Sequence, residues 1–155
     1  MVLVALVVFG QIGMPLLAIA TPLLAFANYR PPNSALWFGI ASFSFGLWLF
    51  WRSHADLGSN WSVSLELERE HRLVTSGVYS RIRHPMYASF FAMALAQAAL
   101  IPNLMAGLAA LVAVTILYVV RKPNEEAMML EHFGSDYVAY MRRSGGVIPP
   151  MHAVR

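Results

Sequence analysis

The sequence predicts an all-α integral membrane protein with about four transmembrane helices and a final helix on the membrane surface. The first observation is compositional: 58% of the 155 residues are hydrophobic and only 12% are charged, against about 25% charged residues in a soluble domain. The second is that residues 1–29, 31–51 and 86–120 contain no Asp, Glu, Lys or Arg. Because about 20 apolar residues cross the hydrocarbon layer, these stretches allow three or four crossings. The composition excludes a disordered or collagen-like chain and a separate soluble domain.

The first apolar stretch is too long for one straight crossing, since 29 residues would form a helix of about 44 Å. Pro15 and Pro22 lie inside it, so we expect the first helix to be kinked or broken. No charge precedes Arg30, which favours a retained membrane helix over a cleaved signal peptide. After a proline-rich turn, Ser34 is the predicted N-cap of a second helix that reaches Trp51.

The third apolar stretch is predicted to form a tight helical hairpin, because Pro102 and Asn103 lie near its middle. Its arms would be residues 85–101 and 103–120. Gln97 and Gln11 are polar residues within predicted spans, and we expect them to form hydrogen bonds between helices. Alanines recur every four residues on both arms and predict close helix packing; they are Ala88, Ala92 and Ala96, then Ala106 with Ala110 and Ala109 with Ala113.

A polar region follows Val120 and is predicted to begin a new helix, with Asn124 as its cap and two glutamates in its first turn. Gly134 and Ser135 are expected to break that helix, whose apolar spacing favours an interfacial position. With four crossings, ten of the eleven Lys and Arg residues lie on one side of the membrane and only Arg30 lies opposite. The positive-inside rule therefore predicts that this side faces the cytoplasm.

We interpret residues 1–155 as one domain, with N-terminal transmembrane helices in 1–51 and the chemistry in 52–155. The absence of cysteine excludes thiol chemistry. The basic residues occur in runs of at most two, which fits a membrane surface better than nucleic acid. The five histidines lack metal-ligand spacing, so no metal is expected. No glycine-rich phosphate loop is present, so a nucleotide-like cofactor would bind outside a Rossmann fold.

Two clusters could carry chemistry. In the first, residues 71–87, His84 precedes Pro85 at a predicted helix start whose free N–H groups suit an anion, and Tyr79 and Tyr87 lie nearby. An ordinary basic loop with interfacial aromatics is the alternative. The second cluster is Arg121, Glu125 and Glu126, which could hold an anion or an ammonium group or take a proton. Helix capping and ordinary charge placement would also explain it.

At these two clusters the sequence resembles the isoprenylcysteine carboxyl methyltransferase family, membrane enzymes related to the phospholipid N-methyltransferases. The resemblance covers residues 60–149 and follows the family pattern in order and spacing. The matching motifs are His71-Arg72-Leu73-Val74, Gly77-Val78-Tyr79, Arg83-His84-Pro85-Met86-Tyr87, Arg121, Glu125-Glu126, and Phe133-Gly134 with Tyr137. This chain departs from the pattern at Ser89, where the family usually has glycine.

The resemblance implies that S-adenosylmethionine is the cofactor. Its binding residues would be His71, Arg72, Leu73, Val74, Tyr79, His84, Pro85, Met86 and Tyr87, with Glu125 closing the pocket. Arg121 would face the methyl acceptor, and Arg121 and Glu125 would be the catalytic pair. The expected acceptor is lipophilic, either a prenylated cysteine or a lipid, and carboxyl O-methylation is the expected reaction. Phospholipid N-methylation, a non-catalytic scaffold that retains the fold, and a small transporter are the alternatives.

Overall fold

The computed structural model describes residues 2–58 and 72–150, and within these ranges the chain is mostly helical and contains no β-strand. The helices are α1 (Val2–Val8), α2 (Met14–Ala20), α3 (Asn33–Leu57), α4 (Pro85–Leu100) and α5 (Leu104–Arg143), with a π-helical segment at Phe9–Gly13 and 3-10 turns at Pro22–Ala27 and Gly77–Ser80. The continuous segment Val2–Ala20 and helices α3 and α5 are long and apolar enough to cross a membrane, whereas α4 is shorter. The predicted all-α polytopic class is confirmed.

The first apolar segment is broken, as expected. The π-helical segment Phe9–Gly13 ends where the Met14 N–H donates to the Phe9 carbonyl, and Pro15 follows within the first turn of α2. A second break occurs at Thr21, whose extended backbone precedes Pro22. Both irregularities lie beside prolines because proline donates no backbone hydrogen bond and displaces the preceding helical turn.

The second helix differs from the prediction at both ends. α3 begins at Asn33 with Pro32 in the cap position, rather than after Ser34, and it continues to Leu57 rather than ending at Trp51. The extension is stabilised within the helix, since Arg52 Nη2 lies 2.6 Å from Asp56 Oδ1 one turn later. α3 therefore carries its last two turns beyond the apolar stretch.

α4 packs between α3 and α5, and small residues allow the close approach. Ala94, Ala96, Ala106 and Ala110 have no exposed surface. A Cβ at Gly46 of α3 would lie 3.1 Å from the Ser89 carbonyl oxygen of α4. The expectation of small-residue packing is confirmed for the buried members of the alanine series, which also include Ala92 and Ala113, while Ala88 and Ala109 are half-buried.

Asn103 closes the predicted hairpin between α4 and α5. Its Oδ1 accepts from the Ala106 N–H at 3.0 Å and caps α5. Its Nδ2 donates to the Leu24 carbonyl at 2.6 Å and to Asn28 Oδ1 at 2.8 Å. The hairpin turn is therefore fixed to the segment that precedes α3.

Gln97 links the hairpin to the N-terminal segment. Its Nε2 donates to the Gly10 carbonyl at 2.9 Å and to the Ala106 carbonyl at 2.8 Å. In the π-helical register the Gly10 carbonyl would accept from residue 15, but Pro15 has no N–H. The predicted interhelical role of Gln97 is confirmed, and it satisfies a carbonyl that the proline leaves without a donor.

The prediction that a new helix begins at Asn124 is wrong. α5 runs for 40 residues through Pro123, and its one non-helical residue is Gly134, with φ 51° and ψ −123°. Pro123 removes only the hydrogen bond to the Val119 carbonyl, and two ion pairs span it, Arg121 with Glu125 at 3.2 Å and Lys122 with Glu126 at 3.1 Å. The predicted break at Gly134 is confirmed.

Candidate functional site

The two polar clusters of the sequence meet at the open end of the α4–α5 hairpin. His84 and Tyr87 lie at the start of α4, and Arg121, Glu125 and Glu126 occupy facing turns of α5. The side chains of these residues are buried or half-buried. Five groups from two distant parts of the sequence thus form one polar site at the end of an apolar helix pair.

Glu125 lies at the centre of this site. Its Oε1 accepts a 2.6 Å hydrogen bond from the Tyr87 hydroxyl, and its Oε2 lies 3.8 Å from His84 Nδ1. Arg121 Nε is 3.2 Å from Glu125 Oε1. That distance makes an ion pair, but the N–H is not directed at the oxygen, so Arg121 Nε is a buried donor without a hydrogen-bond partner in the described ranges.

Glu126 forms a separate network on the other side of His84. Its Oε1 lies 3.2 Å from His84 Nε2 and 3.3 Å from both Nε and Nη2 of Arg83. Its Oε2 lies 3.1 Å from Lys122 Nζ. The sequence assigned no role to Arg83, although its position directly before His84 could have indicated one.

Tyr118 adds an aromatic ring to the site, and the sequence did not indicate this residue. Its ring centroid is 5.3 Å from that of Tyr87 and 6.0 Å from that of His84, both in edge-on geometry. Tyr118 precedes Arg121 by three positions, so the two share one face of a helix. That spacing is the signal that would have identified it.

The segment after α5, residues 144–146, is hydrogen-bonded to the loop that precedes α4 and ends at His84. The N–H groups of Arg83 and His84 donate to the carbonyls of Gly145 and Gly146 at 2.8 and 3.0 Å. The Arg83 guanidinium also donates to the Ser144 carbonyl. These contacts involve main-chain carbonyls, so no side-chain pattern in the sequence could reveal them.

Tyr79 makes its contacts away from the cluster. Its hydroxyl donates to the Ser53 carbonyl of α3 at 3.3 Å, and its own carbonyl accepts from the Tyr140 hydroxyl at 2.6 Å. Burial raises the pKa of Tyr79, with smaller contributions from Tyr140 and Asp56. The residue joins the loop to α3 and α5 as a neutral phenol.

Asp56 of α3 holds the 3-10 turn at Gly77–Ser80. Its Oδ2 accepts from the Val78 N–H at 2.9 Å. Gly77 adopts φ 58°, and a Cβ there would collide with Asp56 Oδ2. The positive φ favours glycine here, and a Cβ would displace the Asp56 carboxylate, so the turn is held by backbone geometry and one carboxylate.

The other residues assigned from the resemblance lie around the loop. Pro85 is buried as the first residue of α4, and Met86 is half-buried beside it. Leu73 and Val74 are half-buried and Arg72 is exposed, all in a segment without regular structure. His71 lies outside the described residues.

Burial is the main influence on His84 and lowers its pKa below the ordinary value. The hydrogen bond to Glu126 and the charges of Glu125 and Glu126 act in the opposite direction, and the Arg83 charge adds to the lowering. His84 is therefore neutral at pH 7. In the described ranges, no group of three potential metal-ligating side chains is close enough to hold an ion.

Comparison with models of known protein families shows to which family this chain belongs. The family model of isoprenylcysteine carboxyl methyltransferases matches residues 37–131. The chain belongs to that family. The region matched by the isoprenylcysteine carboxyl methyltransferase model contains most of α3, all of α4 and the part of α5 that carries Arg121 and Glu126, whereas α1, α2 and the Gly145–Gly146 segment lie outside it.

Individual proteins with curated names are similar to part of this chain. Over 87 residues the chain is 32% identical to protein-S-isoprenylcysteine O-methyltransferase B of Arabidopsis thaliana, which covers 56% of the chain and 44% of the relative. The Schizosaccharomyces pombe protein-S-isoprenylcysteine O-methyltransferase is also 32% identical, over 56% of the chain and 37% of its own length. The human enzyme of that name is 30% identical over 63% of the chain and 35% of its own length. The matches thus span less than half of each relative.

Proposed function

We propose that this protein is an S-adenosylmethionine-dependent methyltransferase that methylates the carboxylate of a prenylated cysteine or a similar lipophilic acceptor. Family membership and the names of the relatives support methyl transfer to isoprenylcysteine. The observation that carries the proposal is the meeting of Tyr87, Glu125 and Arg121 at the polar end of an apolar hairpin, where the Arg121 N–H is ion-paired with Glu125 but makes no hydrogen bond. This arrangement offers one anionic and one cationic binding group side by side.

The residues present fit S-adenosylmethionine. The cofactor carries a sulfonium and an ammonium group, and Glu125 with the rings of Tyr87 and Tyr118 provides negative charge and aromatic faces for cations. When bound, S-adenosylmethionine supplies an electrophilic methyl group. Tyr79 would contribute by holding the loop, because its hydroxyl is bound to Ser53. The remaining residues proposed for the cofactor are His71, Arg72, Leu73, Val74, His84, Pro85 and Met86.

A carboxylate acceptor suits this site because it is ionised at neutral pH and needs no general base. The Arg121 N–H that lacks a hydrogen-bond partner would bind the acceptor carboxylate. Glu125, held by the Tyr87 hydroxyl, would face the cofactor. Catalysis would then come from alignment of the two reactants and from charge placement.

The position of the site suits an acceptor with a lipid chain. α4 and the apolar half of α5 meet the polar groups at one end of the hairpin. A prenyl chain could reach this end from within the bilayer, while the water-soluble cofactor enters from the polar side. The distribution of Lys and Arg favours the cytoplasm as that side.

Equilibrium binding of S-adenosylmethionine and S-adenosylhomocysteine to the purified full chain tests the cofactor assignment. We expect saturable binding to the wild type and loss of binding in His84→Ala. The exposed His132 provides the matched control, and His132→Ala should bind as the wild type does. Failure of a folded wild type to bind in both detergent and lipid would contradict the proposal and favour a non-catalytic scaffold.

Product analysis with a farnesylated cysteine derivative tests the acceptor. A base-labile methyl ester is the expected product. A stable methylamine formed on a phospholipid headgroup would replace this acceptor assignment with phospholipid N-methylation. Arg142→Ala, at an exposed position, should retain the wild-type rate, whereas Glu125→Gln should reduce it.

A further inference from the structure

We propose that Glu126 is a positioning residue that fixes the His84 ring as its Nε2–H tautomer, so that Nδ1 faces Glu125 as a hydrogen-bond acceptor. The inference rests on the proposed function, because it assigns His84 a defined role in ligand binding. It adds a residue outside the set assigned above. The carboxylate acts through His84 and is not itself a ligand contact.

The first step is the state of Glu126. Its Oε2 lies 3.1 Å from Lys122 Nζ, and its Oε1 lies 3.3 Å from both Nε and Nη2 of Arg83. Its side chain is only 12% exposed. Two permanent cations around one partly buried carboxyl favour the ionised form, which can only accept hydrogen bonds.

The second step concerns the proton on His84. Its Nε2 lies 3.2 Å from Glu126 Oε1, and an ionised carboxylate requires a donor at that distance. A neutral imidazole carries one N–H, and the partner of one nitrogen determines which nitrogen is protonated. Because burial lowers the pKa of His84, the ring is neutral and Nδ1 keeps its lone pair.

The third step concerns the surroundings of Nδ1. Glu125 Oε2 lies 3.8 Å away, while the other oxygen of Glu125 is engaged by Tyr87. Two acceptors then face each other, and neither can donate to the other while Glu125 is ionised. The ligand group that satisfies both is an N–H donor with positive charge, which is the chemistry of an ammonium group.

Within residues 2–58 and 72–150, the titratable and charged groups that face His84 come from three elements. Glu125, Glu126 and Tyr118 belong to α5, Tyr87 to α4, and Arg83 to the loop. Of these, Glu126 alone lies within hydrogen-bond distance of a ring nitrogen. Its removal should therefore change the tautomer more than any other single change.

Nitrogen NMR of the ligand-free full chain, labelled with ¹⁵N-histidine, tests the inference directly, and His84→Asn identifies the resonance. We expect the Nε2–H signature in the wild type and a shift toward a tautomer mixture in Glu126→Ala. Glu126→Gln should keep the signature, because its amide oxygen still accepts. Glu131→Gln, at an exposed position of the same helix, should leave it unchanged. An Nδ1–H signature in the wild type, or an unchanged signature in Glu126→Ala, overturns the inference.

The titration of His84 provides a second measurement if Glu126→Ala does not fold. Both the Glu126 hydrogen bond and its charge raise the pKa of His84. Glu126→Gln should therefore shift this pKa further down, and an unchanged or raised value overturns the inference. Both experiments use no cofactor, so their failure is distinguishable from a failure of the wild type to bind S-adenosylmethionine.

Discussion

The Tyr87 hydroxyl donates a 2.6 Å hydrogen bond to Glu125 Oε1 and joins two residues that are 38 positions apart. The contact forms only when α4 and α5 fold back against each other, because Tyr87 lies in the first turn of α4. It also fixes one oxygen of the carboxylate that lies beside Arg121. The geometry of the site therefore depends on the closure of the hairpin.

Tyr87→Phe should weaken binding of S-adenosylhomocysteine by about tenfold, because a hydrogen bond to a charged group is worth about 1.5 kcal/mol or more. Isothermal calorimetry checks this. Tyr29→Phe is the matched control, since its hydroxyl donates to the Ala98 carbonyl at the far end of α4. Equal losses in both variants would show that the phenylalanine perturbs packing and not the site.

Arg121→Ala should reduce kcat more than it reduces cofactor affinity, because the acceptor is the proposed hydrogen-bond partner of its N–H. Steady-state rates and equilibrium binding, measured on one preparation, separate the two effects. Arg142→Ala serves as the control at an exposed arginine of the same helix. A parallel loss of cofactor binding would move Arg121 to the cofactor half of the site.

Gly77→Ala should destabilise the fold more than Gly134→Ala. Both glycines have positive φ, 58° and 51°, so each substitution introduces backbone strain of about 1–3 kcal/mol. A Cβ at Gly77 would also collide with the Asp56 carboxylate, whereas nothing lies within 4 Å of one at Gly134. Unfolding of the two variants under the same conditions isolates the collision, and equal destabilisation would show that Asp56 moves aside.

Gln97→Leu should destabilise the protein by about 1 kcal/mol, the usual scale for hydrogen bonds between membrane helices. The change leaves the Gly10 carbonyl beside Pro15 without its donor. Thr115→Val is the control, because the Thr115 hydroxyl donates only within its own helix and is exposed. Denaturation in mixed micelles measures both, and a neutral Gln97→Leu would mean that another group satisfies Gly10.

The free energy of unfolding should fall as the pH decreases from 7.5 through 6.5 to 5.5. Burial lowers the pKa of folded His84, so the unfolded chain binds more protons in this window and protonation favours unfolding. The stabilisation is present above the unfolded pKa of about 6.5 and is lost toward the folded pKa. His84→Gln should flatten this slope, while His132→Gln should not. A slope that stays the same in His84→Gln would assign it to another group.

Much of this architecture was predictable, because membrane helices and proline-containing turns follow from local composition. The charge-free stretches predicted the membrane helices, Pro102 and Asn103 predicted the hairpin turn, and Gly134 predicted the break in α5. The small residues of α4 predicted that it packs closely against its neighbouring helices. Each of these features depends on residues near one another in the chain.

The parts that could not be predicted depend on contacts across the chain or on competition between local signals. Asn124 carries a good capping side chain, but continuation of α5 through Pro123 allows two ion pairs that a new helix start would break. Arg83 lies directly before His84, but its contacts with Glu126 and Ser144, like that of Glu126 with His84, join residues far apart in the sequence. The Gly145 and Gly146 contacts use main-chain carbonyls, which every residue possesses.

The hydrogen bond from Gln97 to the Gly10 carbonyl has a consequence for sequence variation. Gln97 contacts a main-chain atom, so the N-terminal segment can exchange most of its side chains without losing this link to the hairpin. One feature must remain: glycine at position 10, since a Cβ there would lie 2.9 Å from the Ala109 carbonyl oxygen. Random mutagenesis of residues 2–20 should therefore tolerate apolar replacements at most exposed positions and reject them at Gly10.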